Sequence, residues 1–124
     1  FHAVTANCSI HFFEMHSFGR VQLRGFLHRD GVMEHLASVD CDYTFDDQMM
    51  HKTLRATIVD VAGRRAVVNC AAFANIQLEF DPMIYLNEAA LSLSIDGETG
   101  TGWCEFCWNR NYLEFARQHV QTYG

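Results

Sequence analysis

The sequence predicts a mainly β fold, an antiparallel meander forming a barrel or sandwich with a short C-terminal helix. Apolar and polar residues alternate with period two in several short runs, the spacing that puts one face of a strand on a core. Gly and Asp interrupt these runs at intervals typical of β-meanders. The single proline, Pro82, leaves the strands free to donate ladder hydrogen bonds.

The elements follow in order. His11-Phe12-Phe13-Glu14-Met15-His16 reads as a strand with Phe12, Glu14 and His16 on one face and His11, Phe13 and Met15 on the other. Val21 to His28 alternates and ends at Arg29-Asp30-Gly31, where Asp-Gly favours a tight turn between paired strands. Leu54 to Asp60 alternates again, Val61 to Arg64 supplies a turn, and Arg65 to Cys70 resumes as a second hairpin. The third hairpin is the clearest. Leu91, Leu93 and Ile95 share a face, Ser92 and Ser94 the other, and a glycine-rich turn over Asp96–Gly102 leads into Trp103-Cys104-Glu105-Phe106-Cys107-Trp108. In that turn, tolerance of positive φ accounts for Gly100 and Gly102 without a phosphate ligand. Asp81 to Ala90 reads two ways, as a helix capped by Asp81 with Pro82 at its first position or as an extended lead into the third hairpin. Over Tyr112 to Val120, residues Tyr112, Phe115, Ala116 and His119 fall near one helical face, which predicts the terminal helix.

A chain of 124 residues fits one domain and buries a core without a metal or disulfide staple. Its 49% hydrophobic and 19% charged composition excludes disorder. No apolar run is long enough for a membrane span. The formal charge of −6, with basic residues scattered, argues against nucleic acid and against an anionic membrane surface. Five cysteines at positions 8, 41, 70, 104 and 107 read as reduced thiols of a cytoplasmic protein. Because the chain begins at Phe1, the alternative to one complete β domain over 1–124 is one barrel of a longer protein.

Candidate chemistry is sparse. Cys104 and Cys107 have C-x-x-C spacing, but on a strand their thiols project from opposite faces and share neither metal nor disulfide, which leaves two small buried residues. Glu105 lies mid-strand on the face of Trp103 and Cys107. Two placements are open: facing a closed apolar interior, where desolvation would make it a general acid or polar anchor, or decorating a solvated face. Glu14 and His16, two residues apart, pair a carboxylate with an imidazole, and a further polar group of His28, Asp30, Glu34 and His35 brackets the first Asp-Gly turn. Surface polarity near turns is the competing account of both. No nucleophile elbow, phosphate-binding loop, metal set or cofactor motif occurs.

The pattern Asp96-Gly97-x-x-Gly100-x-Gly102-x-x-Glu105-x-x-Trp108 resembles the closing motif of lipocalin-like proteins related to carotenoid 1,2-hydratase and the AttH family. Arg24-Gly25-Phe26-Leu27-His28-Arg29-Asp30-Gly31 and Ile58-Val59-Asp60-Val61-Ala62-Gly63-Arg64 agree in order and spacing, and all three resemble hairpins of the second, C-terminal barrel of that group. The resemblance implies that the meander forms a lipocalin-like barrel or sandwich, with an apolar interior suited to a terpenoid, steroid or fatty ligand. It also implies a hydratase, dehydratase or isomerase in which Glu105 protonates an alkene. The Arg-Asp-His-Ser-Trp-Gly-like segment found between the two barrels of that group is not present.

Two functions are therefore expected to compete. In one, the barrel binds an apolar small molecule, with Glu105 catalytic, Glu14 and His16 assisting, and Trp103, Phe106, Cys107 and Trp108 lining the ligand. In the other, the chain is a non-catalytic subunit that docks another protein chain or the other half of its parent through β edges and aromatic strands.

Overall fold

In the computed structural model, which describes residues 1–123, eight strands run β1 (His2–Thr5), β2 (Cys8–Ser17), β3 (Arg20–Arg29), β4 (Val32–Phe45), β5 (His51–Asp60), β6 (Arg65–Asp81), β7 (Ile84–Ile95) and β8 (Glu98–Asn109). They are followed by helix α1 (Arg110–Tyr123). The strands pair antiparallel in chain order and close into a barrel, with short β1 hydrogen-bonded to both β2 and β8. The meander is thus a barrel rather than a sandwich. No helix among the described residues is long and apolar enough to cross a membrane.

Alternation sets the core. Ile10, Phe12, Leu27, Leu54, Ala56, Ile58, Val68, Leu91, Leu93 and Cys104 point inward and are buried. Three two-residue turns drive the hairpins, Phe18-Gly19, Asp30-Gly31 and Asp96-Gly97, each with both residues at positive φ as the mirror-image turns of twisted hairpins require. The third turn is shorter than its glycines suggested, because β8 begins at Glu98. Gly100 and Gly102 lie inside β8, where a Cβ would come within 2.1 Å of the Val4 carbonyl oxygen and 2.3 Å of that of His2. Their role is steric: they let β1 lie close enough to seal the barrel.

Asp81 to Ala90 resolves as the extended alternative. Asp81 caps a turn by accepting the Met83 amide at 2.6 Å, and β7 starts at Ile84. The terminal helix is present and capped by Asn109, whose Oδ1 accepts the amides of Asn111 at 3.0 Å and Tyr112 at 3.4 Å. Its aromatic side faces outward. Leu113 is fully buried and Ala116 and Val120 pack beside it, whereas Tyr112 and Phe115 are exposed. On that outer side Phe115 stacks on His119 with centroids 6.2 Å apart.

The two ends of the barrel are built differently. At the lower end, the turns at 30–31, 61–64 and 96–97 are tied together by charged side chains. Asp60 accepts the amides of Ala62 and Arg64 at 3.0 and 2.8 Å and the Arg64 Nε at 2.7 Å. Arg64 then donates to the carbonyls of Arg29, Leu27 and Val32, and Arg29 donates to Asp96 at 2.8 Å. Burial pushes the Asp60 carboxyl up, but the Arg64 and Ala62 amides and the Arg64 guanidinium outweigh it and hold the group below the usual carboxylate range.

At the upper end the ladder opens. β3 pairs with β4 only from Phe26 to Arg29, so the rest of the β2–β3 hairpin, from Phe13 to Arg24, is paired only within itself and forms an arm. Helix α1 covers the neighbouring part of this end through a small second core of Met49, Tyr85 and Leu113 with Phe45 and Trp108 packed against it.

Candidate functional site

Beneath helix α1 the upper interior is lined by rings. Phe106 and Trp108 project inward from β8 and stack with centroids 5.2 Å apart. Tyr43 and Phe45, on β4, meet Phe106 edge-on at 4.9 and 5.7 Å. His51, the first residue of β5, lies flat against Phe106 at 4.7 Å with planes 20° apart. These five rings pack on one another as an aromatic cage, with Asn87 opposite Phe106 on β7; Asn87 donates to the Met49 carbonyl at 3.1 Å and accepts from Gln77 at 2.6 Å. Gln77 in turn accepts from Arg117 of α1 at 3.0 Å, which links helix to barrel.

His51 is inward because β5 is irregular. Thr44 pairs with Thr53 but Phe45 pairs with His51, so the register slips at Lys52 and the imidazole turns into the core. It is 5% exposed, and neither ring nitrogen has a hydrogen-bond partner. The indole Nε1 of Trp108 is likewise buried and unpartnered. Each such group costs on the order of 1–3 kcal/mol relative to a satisfied one, and of the four unpartnered buried side-chain polar atoms among the described residues three lie among these rings, the fourth being Arg110 Nε.

The cage is electrically neutral at neutral pH. Burial lowers His51 to about 4 despite the raising influence of Glu88, so the imidazole is uncharged. Burial also pushes the Tyr43 hydroxyl and the Cys41 thiol up, and takes Cys70 to about 12 and Cys104 to about 11. All five cysteines are free thiols.

The residues singled out by sequence are divided by this geometry. Phe106 and Trp108 line the cage, while Trp103, Glu105 and Cys107 lie on the outer face of the same strand. Glu105 thus takes the solvated placement. There it stands opposite Glu88 across the β7–β8 ladder, and Trp103 Nε1 donates to Glu88. The hydrogen bond with Glu88 raises the Glu105 pKa, with burial and the like charge adding to it, so the two carboxyl groups share a proton more readily than isolated ones would. Cys104 is buried but Cys107 is exposed, which corrects the reading of both as buried residues. Glu14 and His16 do share a face and hydrogen-bond at 3.1 Å, on the arm, with the Glu14 charge acting on both Tyr43 and Cys41. Among the described residues no group of three or more His, Cys, Asp and Glu side chains is arranged to hold a metal ion.

His51, Tyr43 and Asn87 had no signal in the sequence. His51 falls off the alternation of Leu54, Ala56 and Ile58, and only the bulge at Lys52 restores it to the inner face.

Neither the curated proteins nor the solved structures searched contain a match to this chain. A family described as "Domain of unknown function (DUF7064)" matches residues 1–110, which take in all eight strands. With that span the chain belongs to the DUF7064 family.

Proposed function

We propose that the barrel binds a neutral, largely apolar, ring-bearing small molecule of terpenoid or steroid type at its upper end, against Tyr43, Phe45, His51, Phe106 and Trp108. The observation that carries this is the convergence of unpartnered buried polar atoms, both His51 nitrogens and the Trp108 indole, in one aromatic cage. A ligand with one hydroxyl or carbonyl among rings satisfies those atoms while burying apolar area. Neutral His51 both donates and accepts, so it anchors either group.

The reading is binding rather than turnover. Inside the cage every titratable group with a shifted pKa is held in its neutral form, and the one carboxyl resembling the acid of the hydratase motif, Glu105, faces outward. Entry would be by displacement of α1, whose small cluster with Met49 and Tyr85 is separate from the main core and needs less free energy to part than the barrel does.

The test uses Trp103→Phe, which leaves Trp108 as the sole indole. Titration with a panel of hydroxylated steroids and terpenoids should quench Trp108 to saturation at one equivalent. His51→Phe in that background should weaken binding at least about tenfold, the loss of one buried hydrogen bond. It should at the same time raise Tm, because it removes an unsatisfied polar group. No quenching across the panel, or quenching indifferent to His51→Phe, overturns the reading.

A further inference from the structure

Outside the cage, two exposed surfaces are each incomplete in a complementary way. The first is the outer face of the β2–β3 arm. Phe13 pairs there with Arg24, Met15 with Gln22 and Ser17 with Arg20, and Phe18 stands fully exposed at the tip with φ of 50°. Met15, Ser17, Phe18, Arg20 and Gln22 line an open concavity of about 520 Å³. Arg24 donates only to the carbonyl of neighbouring Leu23, and among the described residues neither Arg20 nor Arg24 meets a carboxylate. An aromatic residue at the first position of a mirror-image turn, with its ring wholly in water, is disfavoured both sterically and by hydration.

The second is the outer face of β6–β8. Ile76 lies opposite Glu88 and Leu78 opposite Leu86, and with Phe80, Met83 and Trp103 they form an apolar surface, these five being 42% to 75% exposed. At its centre Glu88 and Glu105 stand side by side; the Trp103 indole donates to Glu88, the N-terminal ammonium acts on Glu105 only through its field, and among the described residues neither carboxyl is in an ion pair. Such a face cannot pair with its own copy, because that would bring four carboxyl groups together. It calls for an apolar surface bearing guanidinium groups.

We propose that the chain self-associates, the outer face of the β2–β3 arm in one copy docking on the outer face of β6–β8 in another so that Arg20 and Arg24 meet Glu88 and Glu105. Phe13, Met15 and Phe18 then cover the apolar surface around the two carboxylates, and Trp103 offers its ring to a guanidinium as well. Each copy presents both surfaces, so the contact closes either as a two-fold pair that makes it twice or as a ring. The occupant is a second copy because the missing cations and the missing anions lie on one chain.

The contact can be tested by sedimentation of the chain over a concentration series. The mass should rise above that of the monomer with concentration. Glu88→Arg with Glu105→Arg should return it to the monomer, and so should Arg20→Glu with Arg24→Glu. An equimolar mixture of these two variants should associate again, since each then offers the charge the other needs on both surfaces. Phe18→Ser changes only a side chain already in water and keeps the fold, so its loss of association is read even if a charge reversal unfolds the protein. A wild-type chain that stays monomeric throughout overturns the proposal, as does self-association that ignores Phe18→Ser, or two monomeric, folded charge variants that do not associate when mixed.

Discussion

The lower and upper ends of this barrel hold the same kind of material, buried polar side chains at strand ends, and treat it in opposite ways. At the lower end Asp60 is as buried as any core residue, yet both its oxygens are taken up by amides and a guanidinium, and Arg64 carries the network on to three carbonyls. At the upper end His51 is buried too, and among the described residues neither of its nitrogens has a partner. Satisfied buried polar groups lock a structure, whereas unsatisfied ones weaken it and mark where another molecule belongs. The difference teaches that the lower end is the barrel's staple and the upper end is where binding can be expected.

The comparison breaks most forcefully at Asp60. Asp60→Ala takes the counter-charge from the Arg64 guanidinium and the acceptor from its Nε and from two amides, and thermal unfolding should show Tm lower by roughly 10 °C or more. The Trp108 emission of the folded state should be unchanged, since the lesion is at the far end. A Tm within a few degrees of wild type would mean that the network is not the staple.

Gly100→Ala comes next. The new methyl meets the Val4 carbonyl at 2.1 Å, so β1 must leave β8 and the seam opens, which should cost about 3 kcal/mol in a denaturant titration. A neutral result would show that β1 is dispensable to closure.

Acid sharpens the contrast in a defined window. Unfolded, His51 takes up a proton near 6.5, but in the fold it resists until about 4. Stability is therefore complete above the first value and falls as pH drops toward the second. The loss reaches about 2 kcal/mol once solvent screening is allowed for. Asp60 acts the other way in origin but with the same sign. Its carboxyl is held below its ordinary value of 3.8, so its contribution is present above that value and disappears only below it. Denaturant midpoints across pH should show the two losses in succession, and His51→Phe should shrink the first, leaving the part due to His11, whose imidazole pKa is also lowered by burial and by the N-terminal ammonium. The smallest effect belongs to the turn. Gly97→Ala forces a side chain into φ of 88° and should cost about 1 kcal/mol, with no change in the upper cage.

Much of the architecture was legible because it depends on local rules. The hairpins at Asp30-Gly31 and Asp96-Gly97, and the second at 61–64, follow from turn chemistry and from alternation within a few residues, and the β2 face shared by Phe12, Glu14 and His16 follows from period two alone. The site was only half legible. Alternation correctly grouped Glu105 with Trp103 and Cys107, but it does not say which of two faces is inside when both carry aromatic residues. The apolar outer face of β6–β8 made the two choices look alike.

By itself the sequence determined the strand succession, the tight turns, the terminal helix and the membership of each side chain in one face or the other, all properties of neighbours in the chain. Tertiary structure decided the rest. Closure by β1 gave Gly100 and Gly102 a packing role, the slip at Lys52 turned His51 inward, and the curvature of the closed sheet sent Phe106 and Trp108 into the cage while leaving Glu105 outside. These depend on which strands meet across the barrel. A pairing between residues far apart in the chain leaves no mark on the local pattern of either.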